Sequence, residues 1–108
     1  MEGRYSVCYQ ASQSLNIIQR LGLTTRDGIT DVLDINNEPG IYNVDLTKLN
    51  LPVSTYGIVA IVKNASGNWI YAIFIPTDMT AMYFAFYNGY STPAGWTAWK
   101  RVSFSAIT

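Results

Sequence analysis

Apolar residues first recur at helical spacing in this chain. Leu15, Ile18 and Leu21 lie three apart, and Ile17 and Leu21 four apart, which is one stripe of a 3.6-residue repeat. Ser12 or Ser14 can cap the start, and Gly22 can end the run in the left-handed conformation. The spacing predicts a helix over about 12–21, while residues 1–11 carry no clear period. Thr24 with Asp27 three residues later predicts a second, short helical turn bearing Ile29, Val32 and Leu33. Gly28 keeps that turn from being long.

After Asp34 the period becomes two. The turn cluster Asn36-Asn37-Glu38-Pro39-Gly40 opens a strand in which Tyr42, Val44 and Leu46 share one face and Ile41, Asn43 and Asp45 the other. Residues 49–56, containing Pro52, read as a loop. Two β-rich runs follow, Gly57 to Lys63 and Trp69 to Ile75, joined by Asn64-Ala65-Ser66-Gly67-Asn68. A five-residue link containing glycine between such runs predicts a hairpin. A further strand is expected over Met79 to Tyr87, with Met79, Ala81, Tyr83, Ala85 and Tyr87 on one face and Thr80, Met82, Phe84 and Phe86 on the other. Short links exclude parallel crossovers, which need a dozen or more residues. The fold class expected is mainly β: a small antiparallel sheet or sandwich domain with an N-terminal helix. Its division is an N-terminal segment over 1–30 that contains the helix, and an antiparallel β domain over 31–108.

These middle strands are apolar on both faces, whereas a solvated antiparallel sheet alternates apolar with polar residues. Composition agrees: 49% of the 108 residues are hydrophobic and only 13% charged, about half the usual charged share. Some of this surface is therefore expected to be covered by another copy. The seven basic and seven acidic residues cancel, so the electrostatic footprint of a nucleic-acid binder is missing. No run reaches the 18 apolar residues of a membrane span, and no basic-then-apolar leader is visible. The single cysteine, Cys8, has no intrachain partner, and no histidine is present to activate it.

The last strong signal is Gly95-Trp96-Thr97-Ala98-Trp99-Lys100-Arg101-Val102. An offset of three inverts a side chain across a regular strand. Either a bulge realigns Trp96 with Trp99, or one points inward and the other outward. The reading favours a closing strand with Trp99 as a core plug, leaving Trp96 between core and ligand.

In this order the signals resemble the pyocin-knob-type domain of bacteriophage tail fibres and related contractile particles. Asp31, Leu33 and Asp34 precede Pro39-Gly40-Ile41-Tyr42-Asn43-Val44. Then come a proline-bearing loop, a Gly-led apolar strand, a hairpin, an aromatic-rich strand and the tryptophan close. The likeness spans roughly Asp31 to Phe104. It departs where the family often carries glutamine or arginine, since Ile73, Phe74 and Ile75 are purely apolar here, and no polar binding role is carried over to them. The resemblance implies a tail-fibre or receptor-binding virion component, with the 1–30 segment leading to a fibre shaft. It implies a homotrimer touching other virion tail proteins, made in the host cytoplasm and located at the tail fibre or tip. It implies no enzyme, cofactor or metal, no nucleic acid and no membrane insertion.

A ligand for such a domain is a bacterial surface polysaccharide. Tyr83 and Tyr87, with Tyr90 just beyond, are the best candidates for it, because a tyrosine offers a flat apolar face for sugar C–H groups and a hydroxyl for the polar edge. Trp96, after the Pro93-Ala94-Gly95 loop, joins them as a candidate platform. The alternative is that these aromatics pack at a subunit interface and the domain only trimerises or attaches. Tyr42, Trp69 and Trp99 are expected to be structural. Two or three clustered aromatics beside Asn or Ser left exposed in the trimer would favour glycan binding; their complete burial there would favour the attachment module. Glycoside hydrolysis would need two carboxylates opposed across a cleft, and Asp31 and Asp34 fit turn capping better.

Overall fold

The computed structural model describes residues 24–107. Six strands form one sheet: β1 (Gly40–Val44), β2 (Gly57–Lys63), β3 (Trp69–Pro76), β4 (Ala81–Asn88), β5 (Gly95–Trp96) and β6 (Lys100–Ser103). Sequential neighbours pair antiparallel from β1 to β4, and β5 and β6 share the far edge of β4. The hairpin expected around 64–68 forms with β2 and β3 in register from Gly57↔Pro76 to Lys63↔Ile70.

No helix occurs among the described residues, and the helix expected over 12–21 lies outside them. The short helical turn expected after Thr24 is not made. Gly28 has a φ of +106°, closed to a right-handed helix, and the chain around it runs extended instead. Arg26 bridges β1 in parallel through Arg26 N–Ile41 O and Asn43 N–Arg26 O, both 2.9 Å. Asp31 bridges Leu49 likewise. Ile29 and Val32 are thereby carried into the core, 1% and 0% exposed.

That core lies on one face of the sheet. Tyr42 and Val44 of β1, Val59 and Ile61 of β2, Ile70, Ala72 and Phe74 of β3, and Ala81, Tyr83 and Ala85 of β4 point inward. Leu33, Leu51, Tyr87, Trp96 and Trp99 pack around them. Burying a side chain the size of Phe74 completely stabilises the fold by about 1.5–3 kcal/mol. The opposite face carries Ile41, Ile58, Ala60, Val62, Trp69, Tyr71, Ile73, Ile75, Met82, Phe84 and Phe86, half-buried or exposed. A single sheet, rather than a sandwich, is formed by the described residues.

Two strand ends differ from expectation. Leu46 leaves the inner face of β1 because Asp45 ends the strand in an Asx turn, its carboxylate accepting Thr47 N at 2.8 Å. Leu46 is 49% exposed as a result. Met79 belongs to the β3–β4 turn, not to β4. Its φ is +57°, and Asp78 caps the turn by accepting Thr80 N at 3.0 Å.

The edge opposite β1 is where the tryptophan spacing is resolved. Asn88 pairs with Gly95 and Tyr87 with Trp96. Residues 97–99 then stand opposite only Ala85 and Phe86 before pairing resumes with Lys100 opposite Phe84. This extra residue is a β-bulge, which shifts the side-chain alternation by one. Both tryptophans therefore face inward and pack on the core. At the bulge Thr97 N donates to Phe86 O at 2.7 Å. The return bond of the ladder is replaced: Phe86 N donates to the Thr97 hydroxyl at 3.0 Å. Trp99 Nε1 donates to Asn50 O at 3.0 Å, tying the edge to the 45–56 loop.

Candidate functional site

The outward face of β3 and β4 gathers aromatic rings because the hairpin register sets them side by side. Tyr71 is directly opposite Phe86, and their ring centres are 4.9 Å apart, tilted by 34°. Trp69, two residues earlier on the same face, meets Phe86 edge-on at 6.5 Å. It meets Tyr90, beyond the end of β4, at 5.9 Å and 85°. Such edge-to-face pairs are favoured by the ring quadrupole. Trp69, Tyr71 and Tyr90 remain 43%, 45% and 59% exposed.

A polar rim borders this cluster at the hairpin tip. Gly67, with φ of +76°, closes the turn, and Gly67 N donates to Asn64 O at 2.9 Å. Asn64 Oδ1 accepts Trp69 N at 3.0 Å and so fixes where the indole leaves the strand. Ser66 Oγ lies 2.7 Å from the Tyr90 hydroxyl, and Gly89 N donates to Asn68 O. The tip is thus latched to the segment after β4. The hydrogen bonds to Ser66 and then Asn68 hold the Tyr90 phenol below its ordinary pKa.

Next to the rings a shallow groove of about 350 Å³ runs between Tyr71, Phe84, Phe86, Thr97 and Lys100. A second open hollow, about 460 Å³, lies at the other end of the sheet between Tyr56, Ile58, Ile75, Thr77 and Met79. It has no ring cluster of its own.

The residues singled out from sequence divide between the two faces. Tyr83 is 8% exposed and packs 6.2 Å from Phe74, so it cannot meet a ligand from solvent. Tyr87 shares that inner face, half-buried and 5.6 Å from Trp96. Trp96 is likewise half-buried, and its Nε1 is enclosed without an acceptor among the described residues. Only Tyr90 of the four lies on the outer surface. Of the residues expected to be structural, Tyr42 is buried, its hydroxyl donating to Glu38 O at 2.6 Å, and Trp99 packs on the core. Trp69 belongs instead to the outer cluster. The inner face of β4 takes Tyr83 and Tyr87 because it must meet Phe74, Val59 and the tryptophans across the sheet. The alternate face then shows Met82, Phe84 and Phe86. Pairing Tyr71 with Phe86 through the hairpin register was the signal that could have located the cluster.

The described acidic residues are engaged in structure. Asp31 accepts Leu33 N at 2.9 Å and Asn50 Nδ2 at 2.8 Å. Asp34 accepts Asn36 N at 2.9 Å. Both are turn caps of the kind that short carboxylates make. No group of three His, Cys, Asp or Glu side chains among the described residues is placed to hold a metal.

Scans against protein-family models, curated proteins and solved structures find no match to this chain.

Proposed function

We propose that this chain is a bacteriophage tail-fibre or receptor-binding virion component that attaches to a host-surface glycan, without catalysis. The observation that supports the reading is the exposed ring cluster of Trp69, Tyr71 and Tyr90 beside Asn64, Ser66 and Asn68. Rings present flat apolar faces to sugar C–H groups, while amides and hydroxyls suit the polar edge of the sugar. The cluster is pre-organised by ring–ring contacts and by the latched hairpin tip, which lowers the ordering cost of binding. Retention on host cells or on a glycan array tests it. Trp69→Ala and Tyr71→Ala should each weaken binding by at least about tenfold, ~1.4 kcal/mol. Tyr87→Ala and Trp96→Ala should act mainly by lowering stability. Equal binding by folded Trp69→Ala and Tyr71→Ala variants would remove the site from this face.

A second reading, a trimerisation or attachment module with no ligand of its own, is favoured by the continuation of the apolar outer face over Ile58, Val62, Ile73 and Ile75. Four strands about 4.8 Å apart and some seven residues long give roughly 500 Å² of flat area, at the upper end of what monomers expose. In that reading the rings meet other subunits of a homotrimer. Light scattering that finds a stable monomer at micromolar concentration would sink it, together with the trimer itself.

A further inference from the structure

We propose that the groove beside the ring cluster selects an acidic sugar residue, one whose ring lies on Tyr71 and Phe86 while its carboxylate or phosphate reaches Lys100 and Thr97. The inference rests on the glycan-binding reading above and names the chemistry of the ligand.

The first ground is the inventory of the groove. Apart from the phenol of Tyr71, its polar side chains are those of Thr97 and Lys100. An ammonium group has three donors and no acceptor. The Thr97 hydroxyl oxygen already accepts Phe86 N–H at 3.0 Å, which leaves its own proton free to donate outward. Two side-chain donors thus line an otherwise apolar trough, and no carboxylate lines it. An anionic oxygen gains a charge-assisted hydrogen bond from an ammonium that a neutral sugar hydroxyl does not.

The second ground is charge. The ion pair among the described residues joins Arg26 to Glu38, at the β1 end of the molecule. Each described acidic side chain has its partner elsewhere. Asp27 accepts Asn43, Asp31 accepts Asn50, Asp34 accepts Asn36 N, Asp45 accepts Thr47 and Asp78 accepts Thr80. Lys100 therefore lines the groove with no ion pair within the described residues. The bulge is what puts it there. With the extra residue, Lys100 pairs opposite Phe84 and falls on the outer face, while Arg101, opposite Tyr83, falls on the inner one.

The test is an oligosaccharide array read with the full-length protein. It carries uronic-acid oligomers, their methyl esters, sugar-phosphate oligomers and neutral oligomers of matched length, at 50 and 300 mM salt. Wild-type protein should prefer the acidic members by about fivefold or more at 50 mM. The preference should shrink at 300 mM, because exposed charges are screened within about 10 Å at 0.1 M. Lys100→Met should abolish the preference and Lys100→Arg keep it, with the urea midpoint unchanged in both. The ester arm isolates charge from shape, and the phosphate arm decides between carboxylate and phosphate. If neutral and acidic members bind alike and Lys100→Met changes nothing, the inference fails while glycan binding stands. If no member binds the folded protein at all, the glycan-binding reading fails and this inference with it.

Discussion

Replacing Thr97 with valine isolates the hydrogen bond on which the bulge depends. Threonine and valine have nearly the same shape, but valine has no oxygen to accept Phe86 N–H, now bonded at 3.0 Å. A neutral hydrogen bond of this kind contributes about 0.5–1.5 kcal/mol net, and an unsatisfied buried N–H costs about 1–3 kcal/mol. Thr97 is exposed and Phe86 half-buried, so water reaches part of the vacated position and the lower values apply. The expected loss for Thr97→Val is about 1 kcal/mol, roughly 5 °C in Tm for a domain of this size. Thr97→Ser keeps the oxygen and should lose less than half as much. Urea unfolding followed by tryptophan fluorescence measures both, and an unchanged slope with denaturant would show that the unfolded state is the same in each. The account of the bulge is refuted if Thr97→Val matches wild type within error, or if serine and valine are equally damaging.

Two further outcomes follow from the packing. A Cβ added at Gly57 would meet the Ile75 carbonyl oxygen, with the Phe74 ring and Pro76 Cα each at 2.9 Å; Gly57→Ala should therefore destabilise by about 1–3 kcal/mol, and a urea midpoint equal to wild type would show that β2 and β3 can part without cost. Burial raises the pKa of Tyr42 above its ordinary value near 10; the Arg26 guanidinium opposes this and Glu38 adds to it. The folded state thus holds the phenolic proton more tightly than the unfolded chain does. The corresponding stability is intact below about pH 10 and is lost as pH climbs from there through the folded value. Tyr42→Phe should flatten that alkaline decline, and an identical decline in the variant would assign it to other groups.

The hairpin was legible in full, because β-branched and aromatic runs flank a tip whose Asn and Gly suit only a turn. The first strand was legible up to Val44. Its end was not, since Leu46 continues the alternation and only the Asx turn of Asp45 takes it out of the sheet. Around Thr24 and Asp27 the local helix signal was overridden by pairing with β1, a contact 16 residues away that no local pattern encodes. For the site, the faces of β4 were sorted into the observed two sets from Ala81 onward, while Met79 and Thr80 fall in the turn before it. Which set faces inward depends on what lies over the sheet, and both sets are apolar. Trp69 was misplaced for the same reason: β3 reads as apolar throughout, and its outward parity emerges only once Ile70, Ala72 and Phe74 are seen to fill the core.

The extra residue between Trp96 and Lys100 has a consequence for how this chain can vary. Deleting Ala98 would remove the bulge and leave Trp96 and Trp99 two residues apart, so a regular strand would still turn both inward and keep Lys100 on the outer face. Straightening the edge with Ala98 retained would instead turn every later side chain over: Trp99 would swing into solvent, its bond to Asn50 would be lost, and Lys100 would be driven toward the core. The bulge and the odd spacing of the tryptophans belong together, and either can be lost only with the other.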